Sequence, residues 1–156
     1  MKIGIIGGTF NPIHNAHLLI AEMAREEYGL DRVIFITDGN PPHKSANVTA
    51  KQRFEMTHIA IADNSAFEED DFEINRSEKS YTVNTLGYLK EKYPNNDLFF
   101  IIGEDSLNDF DKWYKPDKIL EMCSLLVFPR KSLKSLTETI KVVKEKMNGR
   151  IFPISA

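Results

Sequence analysis

The chain has 156 residues, 42% of them hydrophobic and 28% charged, with a formal net charge of -3 and a pI near 5.8. That length supports one domain with a real core, and the slightly acidic balance excludes broad electrostatic binding of nucleic acid. Cys123 is the single cysteine, no cationic apolar leader opens the chain and no stretch can span a bilayer, so a reducing, cytoplasmic setting without membrane contact is expected.

Ile3, Ile5 and Ile6 form a short β-branched run bounded by glycine, which predicts a buried first strand. Gly7 and Gly8 are expected to let the backbone turn tightly, and Pro12 bars a helix before about Ile13 to Asn15. The helix then runs to Tyr28, with Gly29 as its stop. Val33 to Thr37 is a second strand, parallel to the first across a right-handed βαβ crossover. A turn-rich loop follows, from Asp38 to Val48. Thr49 and Gln52 form a capping box for a helix reaching about Ala62. His58 on that helix reads as a packed or surface histidine. The acidic run Glu68 to Asp71 reads as a solvated connection, and Phe72 to Asn75 as a third strand. Val83, Leu86, Leu89 and Tyr93 mark an amphipathic helix, and Leu98 to Ile102 is the clearest strand of all. Asp105 fits the cap of a helix carrying Leu107 and Phe110. Pro116 suits the first position of a helix ending near Met122. Leu125 to Phe128 is a fifth strand; Leu136, Ile140, Val143 and Met147 define a last helix; Ile151 to Ile154 begins a sixth strand. This alternation predicts an α/β fold with a doubly wound parallel sheet between two helix layers.

The chemistry concentrates behind the first strand. A strand feeding a glycine turn and then a helix N-terminus presents unpaired amides and the positive end of the helix dipole, which suit a phosphate. His14 and His17 stand three apart on that first helical turn and so share one face. His43 and Lys44 lie in the loop after the second strand, which opens on the same crevice of a parallel sheet. The three histidines also admit a transition-metal reading, but they lack the i, i+4 spacing of HExxH, and the lone Cys123 cannot complete a thiolate cluster. No dedicated metal ligand is therefore expected. Arg53 is open between a solvated helix residue and a neighbour of the site.

The stretch GGTFNPIHNAH, Gly7 to His17, resembles the HxGH signature of the nucleotidylyltransferase superfamily, with Ala16 where glycine is usual. Four later segments narrow the resemblance. NPPHK at 40–44, SYTVNTL at 80–86 with Asn84 in place of aspartate, IIGEDSLNDFDKW at 101–113 and Arg130 are similar to the bacterial nicotinate-nucleotide adenylyltransferase family. The resemblance implies a Rossmann-like domain that transfers AMP from ATP to nicotinate mononucleotide, with Mg²⁺ accompanying ATP, in NAD biosynthesis. It implies catalytic roles for His14, His17 and Lys44. It implies contacts to ATP and its phosphates from Gly7, Gly8, Thr9, Phe10, Gly103, Asp105 and Arg130 beside the two histidines. Thr9, Phe10, His43, Lys44, Tyr81, Thr82 and Trp113 are implied to hold the nicotinate nucleotide, Trp113 by stacking on its ring; without the resemblance Trp113 reads as a core residue. The two nucleotides are the expected partners, and a homo-oligomer is compatible with this reading.

Two other readings compete. One is a different HxGH-type transferase, such as a pantetheine-phosphate adenylyltransferase. The other is a nucleotide-binding module without turnover, motivated by the last residues. Ile154, Ser155 and Ala156 resemble the start of the family's ISxTxIR segment, a second phosphate site, and the sequence stops there. A single domain over 1–156, truncated within that motif, is expected.

Overall fold

The computed structural model describes residues 1–10, 12–39, 49–76 and 80–155. Among them six strands, β1 Lys2–Gly8, β2 Arg32–Thr37, β3 Phe67–Asp70, β4 Asp97–Gly103, β5 Ser124–Phe128 and β6 Ile151–Pro153, form one parallel sheet ordered β3-β2-β1-β4-β5-β6. Chain order runs outward from β1 to β3 on one side and from β4 to β6 on the other. The switch of direction therefore lies between β1 and β4, where open α/β sheets bind ligands beyond the carboxyl ends of the strands.

Side chains alternate across each strand and feed two cores. Ile3 and Ile5 of β1, Ile34 and Ile36 of β2, Phe100 and Ile102 of β4, and Leu125 and Val127 of β5 share one cluster with Leu86, Leu89, Leu107, Ile119, Leu136 and Ile140. The opposite face gathers Ile6, Val33, Phe35, Ile101 and Leu126 with Ala21, Ala24 and Ile61. The first core is thus covered by α3 Thr82–Lys92, α4 Glu104–Asn108, α5 Pro116–Met122 and α6 Leu133–Lys146, and the second by α1 Asn15–Tyr28 and α2 Ala50–Ile61. This is the expected three-layer, doubly wound architecture.

The helix ends follow their local chemistry. Gly29 closes α1 in the left-handed region at φ 63°. Thr49 and Gln52 form the reciprocal capping box at α2, with bonds of 3.0 and 3.1 Å. Pro116 opens α5 as read from the sequence.

The third strand is displaced from the expectation. The acidic stretch is itself the strand, β3, paired to β2 from Phe67 to Asp70, while Phe72 to Asn75 is a turn. Only Phe67 and Asp70 are buried, and the charges find partners: Glu68 with Arg32 at 2.9 Å, Asp70 with Lys92 at 3.0 Å, and Glu69 with His58 at 2.5 Å. Charged side chains protect an edge strand from pairing with foreign edges, so an edge can carry a sequence that looks like a loop. The Asp70 carboxylate accepts the Phe72 backbone N–H at 2.9 Å, which starts the turn at Phe72.

Candidate active site

A crevice of about 360 Å³ opens at the sheet switch. Gly7 and Gly8 of β1, Gly103 of β4, His17 of α1, Thr82 and Thr85 of α3, and Trp113 line it, together with Asp38, Glu73, Ser80 and Ser106. Glycines here serve close approach. A Cβ on Gly103 would lie 2.8 Å from the Phe128 ring, and one on Gly39 would lie 2.2 Å from the Glu73 carbonyl oxygen. The exit of β2 is in this way pressed against the turn that follows β3.

The turn after β1 is built differently from the expectation. Gly7 and Gly8 remain in the strand, and the chain bends at Phe10, whose φ of 49° is left-handed. The Phe10 ring is 3% exposed, edge-on to His17 at 5.2 Å and tilted on Phe35 at 6.1 Å. Buried aromatic packing holds the bend for which the sequence alone points to glycine. It also removes the Phe10 side chain from any ligand, so the contacts expected of Phe10 fall to its backbone.

The two histidines are coupled. His14 is the N-cap of α1, and its backbone N–H donates to Nδ1 of His17 at 3.0 Å, the rings stacking 5.6 Å apart at 17°. With Nδ1 accepting, neutral His17 carries its proton on Nε2, a tautomer assigned from that bond. Burial lowers the His17 pKa, and His14 lowers it further. The ring lining the crevice is therefore a neutral N–H donor at pH 7, at the positive end of α1, where the His14 and His17 amides are already bonded within the turn. His14 is exposed at the rim.

On the far side, the half-buried Trp113 packs 4.9 Å from Phe110 and edge-on 6.1 Å from Phe100. Thr82 opens α3, preceded by Tyr81, whose ring lies 4.6 Å from that of Tyr114. Thr85 donates to Glu73 at 2.6 Å. Burial pushes the Glu73 carboxyl up, the Thr85 bond opposes this, and Asp38 pushes it up again. These two acids make this wall of the crevice unwelcoming to a further carboxylate unless its charge is met by helix amides.

Past β4, Glu104 is 7% exposed and accepts the Arg130 backbone N–H at 3.2 Å and the Ser135 and Thr139 hydroxyls at 3.1 Å each. Burial opposes its charge, but these bonds and the nearby Arg130 outweigh burial and leave its pKa lowered. Gly103, not Asp105, is the N-cap of α4. The exposed Asp105 instead accepts from Arg130 at 3.2 Å.

Of the residues singled out in the sequence, Gly7, Gly8, His17, Thr82, Gly103 and Trp113 meet in the crevice. Thr9, Phe10, His14, Tyr81, Asp105 and Arg130 lie outside its lining, and His43 and Lys44 lie outside the described residues. Asp38, Glu73, Ser80, Thr85 and Ser106 line the crevice without having been assigned roles. Asp38 and Ser106 could have been found from their places just past β2 and β4. Arg53, left open in the sequence, is 1% exposed, its Nη1 bonded to the carbonyls of Thr9 and Asp38.

Residues 5–155 match the cytidylyltransferase-like family. A protein of Citrifermentans bemidjiense named "Probable nicotinate-nucleotide adenylyltransferase" is 47% identical over 146 residues, covering 91% of this chain and 68% of that relative. The chain belongs to the nicotinate-nucleotide adenylyltransferase branch of the cytidylyltransferase-like family. A second adenylyltransferase relative, from Geobacter sulfurreducens and bearing the same name, is 49% identical over 132 residues, covering 83% of this chain and 61% of its own length. Among solved adenylyltransferases, the Plasmodium falciparum nicotinic acid mononucleotide adenylyltransferase complexed with NaAD shares the fold, with a TM-score of 0.80 over 99% of this chain and 75% of that one, at 22% identity. Among the described residues of this family member, no helix is long and apolar enough to cross a membrane.

Proposed function

We propose that this protein transfers AMP from ATP to nicotinate mononucleotide, giving deamido-NAD and pyrophosphate. The observation that carries the reading is one crevice at the sheet switch. It joins a neutral His17 donor and the N-terminus of α1 on one side to Trp113 and the N-terminus of α3 on the other.

A phosphate oxygen of nicotinate mononucleotide attacks the α-phosphorus of ATP, a new P–O bond forms, and the bond to pyrophosphate breaks in line. No covalent enzyme intermediate is needed, so the protein positions two polyanions and stabilises charge growing on phosphorus. His17 supplies its Nε2–H at the positive end of α1, and the His14 backbone N–H holds that ring in register. Trp113 offers a face to the electron-poor pyridine ring, and the first amides of α3 with the Thr82 hydroxyl meet its carboxylate. Lys44 adds charge to the phosphates.

Among the described residues no three His, Cys, Asp or Glu side chains gather as a metal cage. A Mg²⁺ ion accompanying ATP would screen the triphosphate and take most of its ligands from phosphate oxygens and water, so the reading calls for few protein ligands.

Pyrophosphate release from ATP and Mg²⁺ tests the reading, with nicotinate mononucleotide, nicotinamide mononucleotide and phosphopantetheine as acceptors. Release favouring the nicotinate form is expected. Turnover with phosphopantetheine and none with nicotinate mononucleotide would overturn it, and binding without release would make the chain a nucleotide-binding module.

A further inference from the structure

We propose that Arg53 is a positioning residue that locks the exit of β1 to the exit of β2, and so holds the phosphate-binding turn in its working shape.

Arg53 lies on the first turn of α2, where the Thr49–Gln52 capping box fixes the start of the helix. From there its side chain runs beneath the strand exits. At 1% exposure it is among the largest fully buried side chains of the described residues, and it does not line the crevice. It therefore acts on the site through other residues. One nitrogen, Nη1, donates to Thr9 O at 2.7 Å and Asp38 O at 2.6 Å. The two N–H groups of a guanidinium nitrogen can serve two carbonyls at once, which a mobile ammonium does with less fixed geometry.

The seam these bonds close is the one the site needs. The Asp38 backbone N–H donates to Gly8 O at 2.8 Å, continuing the β1–β2 ladder to its last step. Beyond that step only Arg53 bridges the two backbones in the hydrogen bonds of the described residues. Thr9 is followed at once by Phe10 in its left-handed bend and by the histidine-bearing start of α1, while Asp38 leads into Gly39 against Glu73. A buried cation is a costly way to fill space, and Nε of Arg53 has no partner among the described residues. A demand for placement accounts for the cost.

The kinetic arm of the test rests on the adenylyl-transfer reading; the exchange arm does not. In Arg53→Met, the Asp38 amide should exchange with deuterium at least tenfold faster, with amides of β4 and β5 unchanged. Its kcat should fall by about a hundredfold, the order expected from misplacing reacting groups by an ångström, while KM for nicotinate mononucleotide stays within about threefold. Arg53→Lys should fall between, and added guanidinium should restore part of kcat to Arg53→Ala. Unchanged Asp38 exchange in a folded variant would overturn the proposal. So would a kcat that falls only with the folded fraction and is not rescued by guanidinium. If Arg53→Met does not fold, Arg53→Lys carries the same exchange measurement. If the unsubstituted protein releases no pyrophosphate, the adenylyl-transfer reading fails and the exchange arm decides the proposal alone.

Discussion

The backbone N–H of His14 points at Nδ1 of His17, 3.0 Å away, so one histidine of the pair sets the proton position of the other. That bond exists only while Nδ1 is unprotonated. Because burial lowers the folded-state pKa of His17 below the ordinary 6.5, the unfolded chain binds the proton more readily than the folded one. Below pH 6.5 this group makes stability fall as pH falls, with the loss setting in as pH drops below the unfolded value. An NMR titration of the His17 ring should give a midpoint below 6.5, and a midpoint at or above 6.5 would contradict the lowering by burial.

Substitution separates the two nitrogens. His17→Asn keeps an acceptor near the place of Nδ1 and loses the Nε2 donor. It should fold normally and lose turnover by about a hundredfold, as when a preorganised donor is removed from developing charge. His14→Ala keeps the backbone N–H that bonds His17, so any loss of turnover beyond about tenfold assigns the His14 ring itself a part in charge stabilisation. Near-normal kcat in His17→Asn would remove His17 from that role.

How much of this site could be read in advance depended on whether the signal was local. The strand, the helix start and the Gly29 stop are encoded within a few residues, and they emerged in place. The sequence points to glycine for the bend made at Phe10 because nothing local betrays an aromatic held at positive φ by rings of other elements, Phe35 of β2 and His17 of α1. The strand at Phe67–Asp70 was hidden for a similar reason. Its charges are satisfied by Arg32, His58 and Lys92 from other elements, and no periodicity records such partners. Arg53 stood open because its carbonyl partners, Thr9 and Asp38, are chosen by the fold rather than by spacing.

Trp113 should matter more for binding than for chemistry. Trp113→Ala removes an aromatic face worth up to about 1.4 kcal/mol beyond its buried area, so KM for nicotinate mononucleotide should rise by about tenfold with kcat within about threefold. A loss confined to kcat would place the tryptophan elsewhere in the mechanism. Its packing on Phe110 and Phe100 also predicts a lower melting temperature.

Glu104 holds the segment after β5 in place through three donors. Its lowered folded-state pKa makes its contribution to stability complete above the ordinary carboxylate pKa and lost as pH falls through the folded value. Glu104→Ala strands those donors and should cost about 2–3 kcal/mol at pH 7, with the deficit shrinking in acid. A deficit that does not change between pH 7 and pH 3 in denaturant titrations would count against this account.

Cys123 is 1% exposed, and burial pushes its thiol up to about 12. Thiolate is the reactive form, so the native protein at pH 8 should not react with a disulfide reagent on the timescale on which the urea-unfolded chain reacts fully. Rapid native labelling would show that α5 and β5 open locally.

The bend at Phe10 narrows the ways in which this enzyme can be altered. At most left-handed positions a glycine is the stabilising exchange, gaining up to about 1 kcal/mol by relieving the backbone. Here the same exchange empties a buried ring site, and losses for such deletions run to about 3–5 kcal/mol. Backbone and side chain thus set opposite requirements on one residue, and the side chain wins by a margin that glycine cannot recover. An engineer seeking a sturdier protein gains nothing at position 10, although it is one of the two non-glycine positions, with Lys115, to which the torsion angles of the described residues would direct them.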